Sequence, residues 1–151
     1  MKKITVCIAA SLGILFIGDV LCLADETFSF KLIVHASNPV SELTKIEISN
    51  LFLKKVNKWK ESGETVLPVD LIEDSVVRAQ FSESLHERKI ASIKAYWQKQ
   101  IFSGRGIPPE EKKSEEEVLE YVSENLGAIG YIAVPTPIDA YNVKVLTIKE
   151  R

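Results

Sequence analysis

Hydrophobic positions along the chain fall into short blocks separated by polar turns, and the period inside each block predicts an element. Residues 28–35, Phe-Ser-Phe-Lys-Leu-Ile-Val-His, alternate and then turn apolar, as a strand does on entering a covered sheet. Ser37-Asn38-Pro39 ends that strand. Ser41 is an N-cap for a helix to about Lys55, with Leu43, Ile46, Leu51, Phe52 and Val56 along one face. After a turn at Glu61-Ser62-Gly63-Glu64, residues 65–72 are β-rich and hold Pro68, which a strand tolerates near an edge or at its start. Asp74 or Ser75 caps the next helix, which carries Val76, Val77, Ala79 and Phe81. Residues 90–102 form a second amphipathic stretch, with Ile93, Tyr96, Trp97 and Ile101 on the apolar side. Gly104-Arg105-Gly106-Ile107-Pro108-Pro109 is a rigid, non-helical loop. Ser114 with Glu117 three residues on is a capping box for a helix to about Asn125, stopped by Gly127. Residues 129–134 and 143–148 read as two strands connected across 135–139.

Strands alternating with helices predict an α/β domain with a mixed sheet of about four strands and helices on both faces. No repeat or long linker divides the 151 residues. The chain is 46% hydrophobic and 26% charged, a composition that excludes a collagen-like or low-complexity protein.

The N-terminus reads as an address. Lys2 and Lys3 precede a nearly unbroken apolar run from Ile4 to Ile17, and Leu21-Cys22-Leu23-Ala24 offers small residues for a cut after Ala24. The pattern predicts a signal peptide at 1–24 and a single domain at 25–151. Gly13, Gly18 and Asp19 interrupt the run, which is shorter than the roughly 20 residues of a spanning helix, so a retained anchor fits less well. Asp19 and Leu21 fit a lipidated Cys22 badly. Both cysteines, Cys7 and Cys22, lie in this segment, which leaves the domain without a disulfide, a thiol nucleophile or a thiolate metal site. The expected location is periplasmic or secreted, with no membrane span after cleavage. The net charge of −2 argues against nucleic acid, whose phosphates need an excess of Lys and Arg.

Few residues suggest chemistry. His35 and His86 are the only histidines and do not sit in a metal-ligand spacing; no metal and no cofactor is expected. His35, at a strand end, reads as a hydrogen-bonded structural residue. Ser82-Glu83-Ser84-Leu85-His86 places serines beside a histidine in sequence only, and a triad needs a spatial constellation with an oxyanion hole. Glu110, Glu111, Glu115, Glu116 and Glu117 read as a solvated helix start that complements the helix dipole. Trp59, Trp97 and Tyr96 read as core anchors. Two places offer binding chemistry. At Asp74-Ser75-Val76-Val77-Arg78, helix-start amides, a hydroxyl and a guanidinium can meet an anion, although a plain capped helix has the same signature. In Gly104-Arg105-Gly106, glycines admit a close backbone approach and arginine grips oxyanions in a fork, although a simple turn looks the same.

The order of these pieces carries a resemblance. Ser41-Glu42-Leu43-Thr44 leads to Ile48-Ser49-Asn50-Leu51-Phe52-Leu53 and Lys58-Trp59. Residues 69–81 supply strand, serine turn and helix. Tyr96-Trp97 precedes Gly104-Arg105-Gly106, and Gly127-Ala128-Ile129-Gly130-Tyr131-Ile132 closes the pattern. Together these resemble the phosphate-type periplasmic substrate-binding proteins of ABC transporters, over nearly all of residues 25–151. The resemblance implies a single lobe of a periplasmic-binding-protein-like fold, where full members have two. It implies a non-enzyme that binds phosphate or a related oxyanion, with an ABC transporter permease or another envelope protein as partner. It implies a site at Ser75, Val76, Val77 and Arg78, with Arg105 as a further source of charge. In the family pattern an arginine ends the strand and Ser-Gly-Thr starts the helix. Here Leu71 stands at the arginine position, Ser75 keeps the serine, and Val76 and Val77 replace glycine and threonine. With one wall of the cleft missing, the expected binding is weak unless a partner or a second copy covers the site. The alternative is a lobe that has lost ligand binding and works as an envelope interaction or sensory module. A secreted hydrolase is the remotest reading.

Overall fold

The computed structural model describes residues 29–149; the expected signal segment, Cys22 and the first residue of the predicted leading strand lie outside them. Six strands form one mixed sheet in the order β2-β6-β1-β5-β3-β4. The strands are β1 (Phe30–His35), β2 (Glu42–Thr44), β3 (Leu67–Leu71), β4 (Glu110–Lys112), β5 (Ala128–Ala133) and β6 (Val143–Lys149). The helices are α1 (Lys45–Phe52), α2 (Val76–His86), α3 (Ile90–Phe102) and α4 (Glu115–Glu124). β1 runs antiparallel to both β5 and β6. β2 is parallel to β6, and β3 is parallel to β5 and to β4.

The expected four strands are the four long ones. The sheet gains two edge strands of three residues each, Glu42-Leu43-Thr44 and Glu110-Glu111-Lys112, too short and too polar to show a period. β2 also displaces the predicted cap of α1. Ser41 does not cap it; Thr44 does, accepting from the Glu47 amide while the Glu47 carboxylate accepts from the Thr44 amide. The start of α1 therefore lies three residues later, and its inner face is not the expected one. Ile48, Leu51 and Phe52 are buried, whereas Ile46 is 68% exposed and Val56 lies beyond the helix.

Pro68 sits at the second position of β3. The Leu67 amide donates to Gly127 O on the β5 side, so the next position faces β4, whose pairing begins only at Val69. The missing N–H thus costs the ladder nothing.

The alternation of β5 separates two helical layers. Gly130 faces α4, where a Cβ would come within 2.6 Å of Val118 Cγ1. Tyr131 faces the other way, stacked on Phe81 of α2 at 3.9 Å between ring centroids and tilted against Phe52 of α1. The core is the apolar surface of β1, β3 and β5 with these helices on both faces. Trp59 is buried there and donates from Nε1 to Gly127 O. α3 packs outside α2, with its own small cluster of Leu53, Ile93 and Trp97; Ile101, expected on that side, is exposed.

Candidate functional site

The predicted binding turn lies where β3 ends and α2 begins. Ser75 is the N-cap, and its hydroxyl accepts from the Arg78 amide at 3.3 Å. Helix geometry provides no acceptor for the first amides, those of Val76 and Val77. The Val76 side chain is 70% exposed, so this helix start is open to solvent.

Arg78 is one turn into the helix and reaches back to the strand. Its Nη1 donates to Leu71 O at 2.6 Å and to Glu111 Oε1 at 2.6 Å, and its Nη2 lies 3.3 Å from Asp70 Oδ2. The side chain is only 11% exposed. Asp70 is held from its other oxygen by the Leu71 amide at 3.0 Å and by the Tyr131 hydroxyl. Burial pushes the Asp70 carboxyl above its ordinary range, and Arg78 opposes that push. Burial also raises the Tyr131 phenol, further favoured by the adjacent Asp70 charge. The result is a chain from Tyr131 to Asp70 to Arg78 to Glu111, in which both terminal nitrogens of the guanidinium face internal acceptors. Sequence reasoning missed Asp70, Glu111 and Tyr131. The apolar-flanked aspartate in Leu67-Pro68-Val69-Asp70-Leu71 was the available signal, since a strand carboxylate among buried neighbours needs a partner.

The fold brings Ser75, Val76, Val77 and Arg78 to one place and leaves Arg105 elsewhere. Arg105 is exposed in the turn after α3, and that turn is tied to the end of α1, where Lys54 Nζ donates to Pro108 O at 3.1 Å. The cation drawn toward α2 from α3 is Lys94, which pairs with Glu73 at 2.9 Å. The turn before α2 is thus ringed by Asp70, Glu73, Asp74 and Glu111 against Arg78 and Lys94.

The other polar clusters are structural. His35 Nδ1 accepts from the Ser37 amide, and its Nε2 meets the Asn142 side chain. His86 Nδ1 lies 2.8 Å from Ser49 Oγ between α2 and α1, and burial lowers its pKa to about 4. Neither Ser82 nor Ser84 meets His86: the Ser82 hydroxyl donates to Arg88 O. Among the described residues no group of three or more His, Cys, Asp or Glu is placed to hold a metal, and no helix is long and apolar enough to cross a membrane.

No family model and no curated protein matches the chain. Solved structures do. One is described as a phosphate ABC transporter substrate-binding protein with bound phosphate, from Clostridium perfringens (TM-score 0.61, 23% identity, 80% of this chain and 44% of that one). A second is an ABC-type phosphate transport receptor from Vibrio cholerae (TM-score 0.64, 17% identity, 80% and 46%). A third is PstS from Borrelia burgdorferi (TM-score 0.62, 16% identity, 80% and 47%). The chain spans less than half the length of each. It has the mixed α/β fold of phosphate ABC transporter substrate-binding proteins, over a stretch that accounts for under half of such a protein.

Proposed function

We propose that this chain is a binding domain of the phosphate-receptor type, exported to the periplasm or beyond, that performs no catalysis. It holds phosphate or a related oxyanion weakly at the start of α2. The observation that carries this reading is the junction of β3 and α2. A strand ending at Leu71 turns through four residues into a helix capped by Ser75, the arrangement that the family resemblance implies for its anion site. The Ser75 hydroxyl and the amides of Val76 and Val77 are the donors, and the positive end of the helix dipole adds attraction. Weakness follows from the surrounding carboxylates and from an open face, where water screens each charge. An ABC transporter permease or another envelope protein would cover that face.

The test is calorimetric titration of the folded protein with phosphate and then sulfate at low salt. Saturable heat is expected, and Val76→Glu should abolish it, because that exposed position places a carboxylate beside the amides without disturbing the helix. Silence up to millimolar phosphate overturns the anion reading.

A second reading has its own observation. Asp70, Glu111 and Leu71 O already engage both terminal nitrogens of Arg78, which a ligand would have to share. On that reading the lobe keeps the fold as an interaction or sensory module of the envelope, and its partner is a protein.

A further inference from the structure

The outer helix and the turn that follows it carry a feature unrelated to the α2 junction. From Arg88 to Pro109 the chain holds five cations (Arg88, Lys89, Lys94, Lys99 and Arg105) and no carboxylate, in a protein whose net charge is −2. The apolar flank of α3 is already used, since Ile93 and Trp97 are buried and Tyr96 donates to Leu53 O. What remains is the tip. Phe102 is 91% exposed, Ile107 69% and Ile101 52%, three large apolar side chains within seven residues. The tip is not loose. Gly104 takes φ +65°, the Gly104 amide donates to Ile101 O, the Arg105 amide to Gln100 O, and Lys54 clamps Pro108 O. A hydrogen-bonded turn thus holds a phenylalanine in water, where burial of such a side chain would be favourable.

The chemistry of an occupant follows from size and charge. A stable protein interface takes about 800 Å² per partner around a contiguous apolar centre, and three exposed side chains do not supply one. A bilayer surface accepts a few apolar side chains while Lys and Arg stay at the level of the headgroups. Lys99 and Arg105 flank the apolar tip in sequence, and both cations favour an anionic leaflet. We propose that the knob of Ile101, Phe102 and Ile107, flanked by Lys99 and Arg105, docks on an anionic lipid surface.

The experiment is co-sedimentation with phosphatidylcholine vesicles, with and without phosphatidylglycerol, across a salt series. All variants share one N-terminus, so the apolar segment 4–17 contributes equally to each. The protein should bind vesicles containing phosphatidylglycerol better than neutral ones, and the difference should shrink as salt rises. Phe102→Ala should weaken that binding about tenfold or more, and Lys99→Glu with Arg105→Glu should remove the preference for anionic lipid. All three positions are exposed, so the variants keep the fold. Equal binding by wild type and Phe102→Ala overturns the proposal, as does indifference to phosphatidylglycerol. So does the absence of vesicle binding together with a concentration-dependent dimer that Phe102→Ala dissolves, which would assign the knob to a second copy of the chain.

Discussion

Replacing Arg78 by methionine separates a structural arginine from a ligand-holding one. The substitution keeps the length of the side chain and removes its charge, leaving Asp70 with 12% of its side chain exposed and no cation beside it. At 3.3 Å, and with an effective dielectric of about 20, the lost attraction is about 5 kcal/mol. Breaking a buried pair from one side typically costs about 3–5 kcal/mol. Two donors to Asp70 remain, the Leu71 amide and the Tyr131 hydroxyl, and the repulsion between Asp70 and Glu111 is eased when Glu111 swings out to solvent. The expected loss is therefore about 3 kcal/mol at neutral pH. It should depend on pH. The folded-state pKa of Asp70 already lies above its ordinary value because of burial, and loss of Arg78 raises it further. A carboxyl with a raised folded pKa binds its proton in the native state first as pH falls. The variant is thus most deficient above that pKa and recovers as pH drops through it toward the unfolded value of about 3.9. Urea unfolding followed by the buried Trp59 and Trp97, near neutrality and again near pH 5, reads both effects. Asp70→Asn combined with Arg78→Met should restore most of the loss. A cost under about 1 kcal/mol at neutral pH, or one that does not change with pH, refutes the reasoning. In that event Arg78 is held loosely enough to serve a ligand.

Glu111→Gln removes the exposed carboxylate that occupies Arg78 Nη1 and should tighten phosphate binding about tenfold in the same titration; unchanged heats would show that Glu111 does not compete for the site. Gly127→Ala should cost well over 2 kcal/mol in thermal or urea unfolding, because its Cβ would stand 2.0 Å from the backbone Thr65 O, which the sheet holds in place. The His86 pKa of about 4 means that the folded state binds this proton later than the unfolded chain does. Its contribution to stability is complete above pH about 6.5 and is lost as pH falls toward 4, up to about 3 kcal/mol. His86→Asn should flatten that acid limb of the stability profile, and an unaltered limb would assign the effect to other groups. Thr44→Ala should cost about 1 kcal/mol by removing the capping box of α1, whereas Ser41→Ala should be close to neutral.

Long, periodic segments were legible in the sequence because period depends on which face is buried. The pattern alone marks α3 at residues 90–102, α2 with a cap at Asp74 or Ser75 that the structure places at Ser75, and α4 with its Ser114 cap. The two edge strands were not legible. Three residues hold less than two full alternations, and β2 borrowed the polar residues that a helix start also favours. The inner face of α1 was misplaced because Leu43 precedes the helix, Val56 follows it, and Ile46 lies about 200° round from the buried Ile48. Ser75 and Arg78 were legible as neighbours, being three apart on one helix. The partners of Arg78 were not, because Asp70, Glu111 and Tyr131 come from three different strands, and only the sheet order β5-β3-β4 brings them together.

The short edge strands bear on what can be added to the sheet. A sheet ends in unpaired N–H and C=O groups that invite another strand to add on. Here each border is only three residues long. One carries Glu42, paired with Lys149, and the other carries Glu110 and Lys112, paired with each other. A neighbouring chain that tried to extend the sheet would have to strip water from these ion pairs for at most a few backbone hydrogen bonds. Strand-by-strand polymerisation through these two borders is thereby disfavoured.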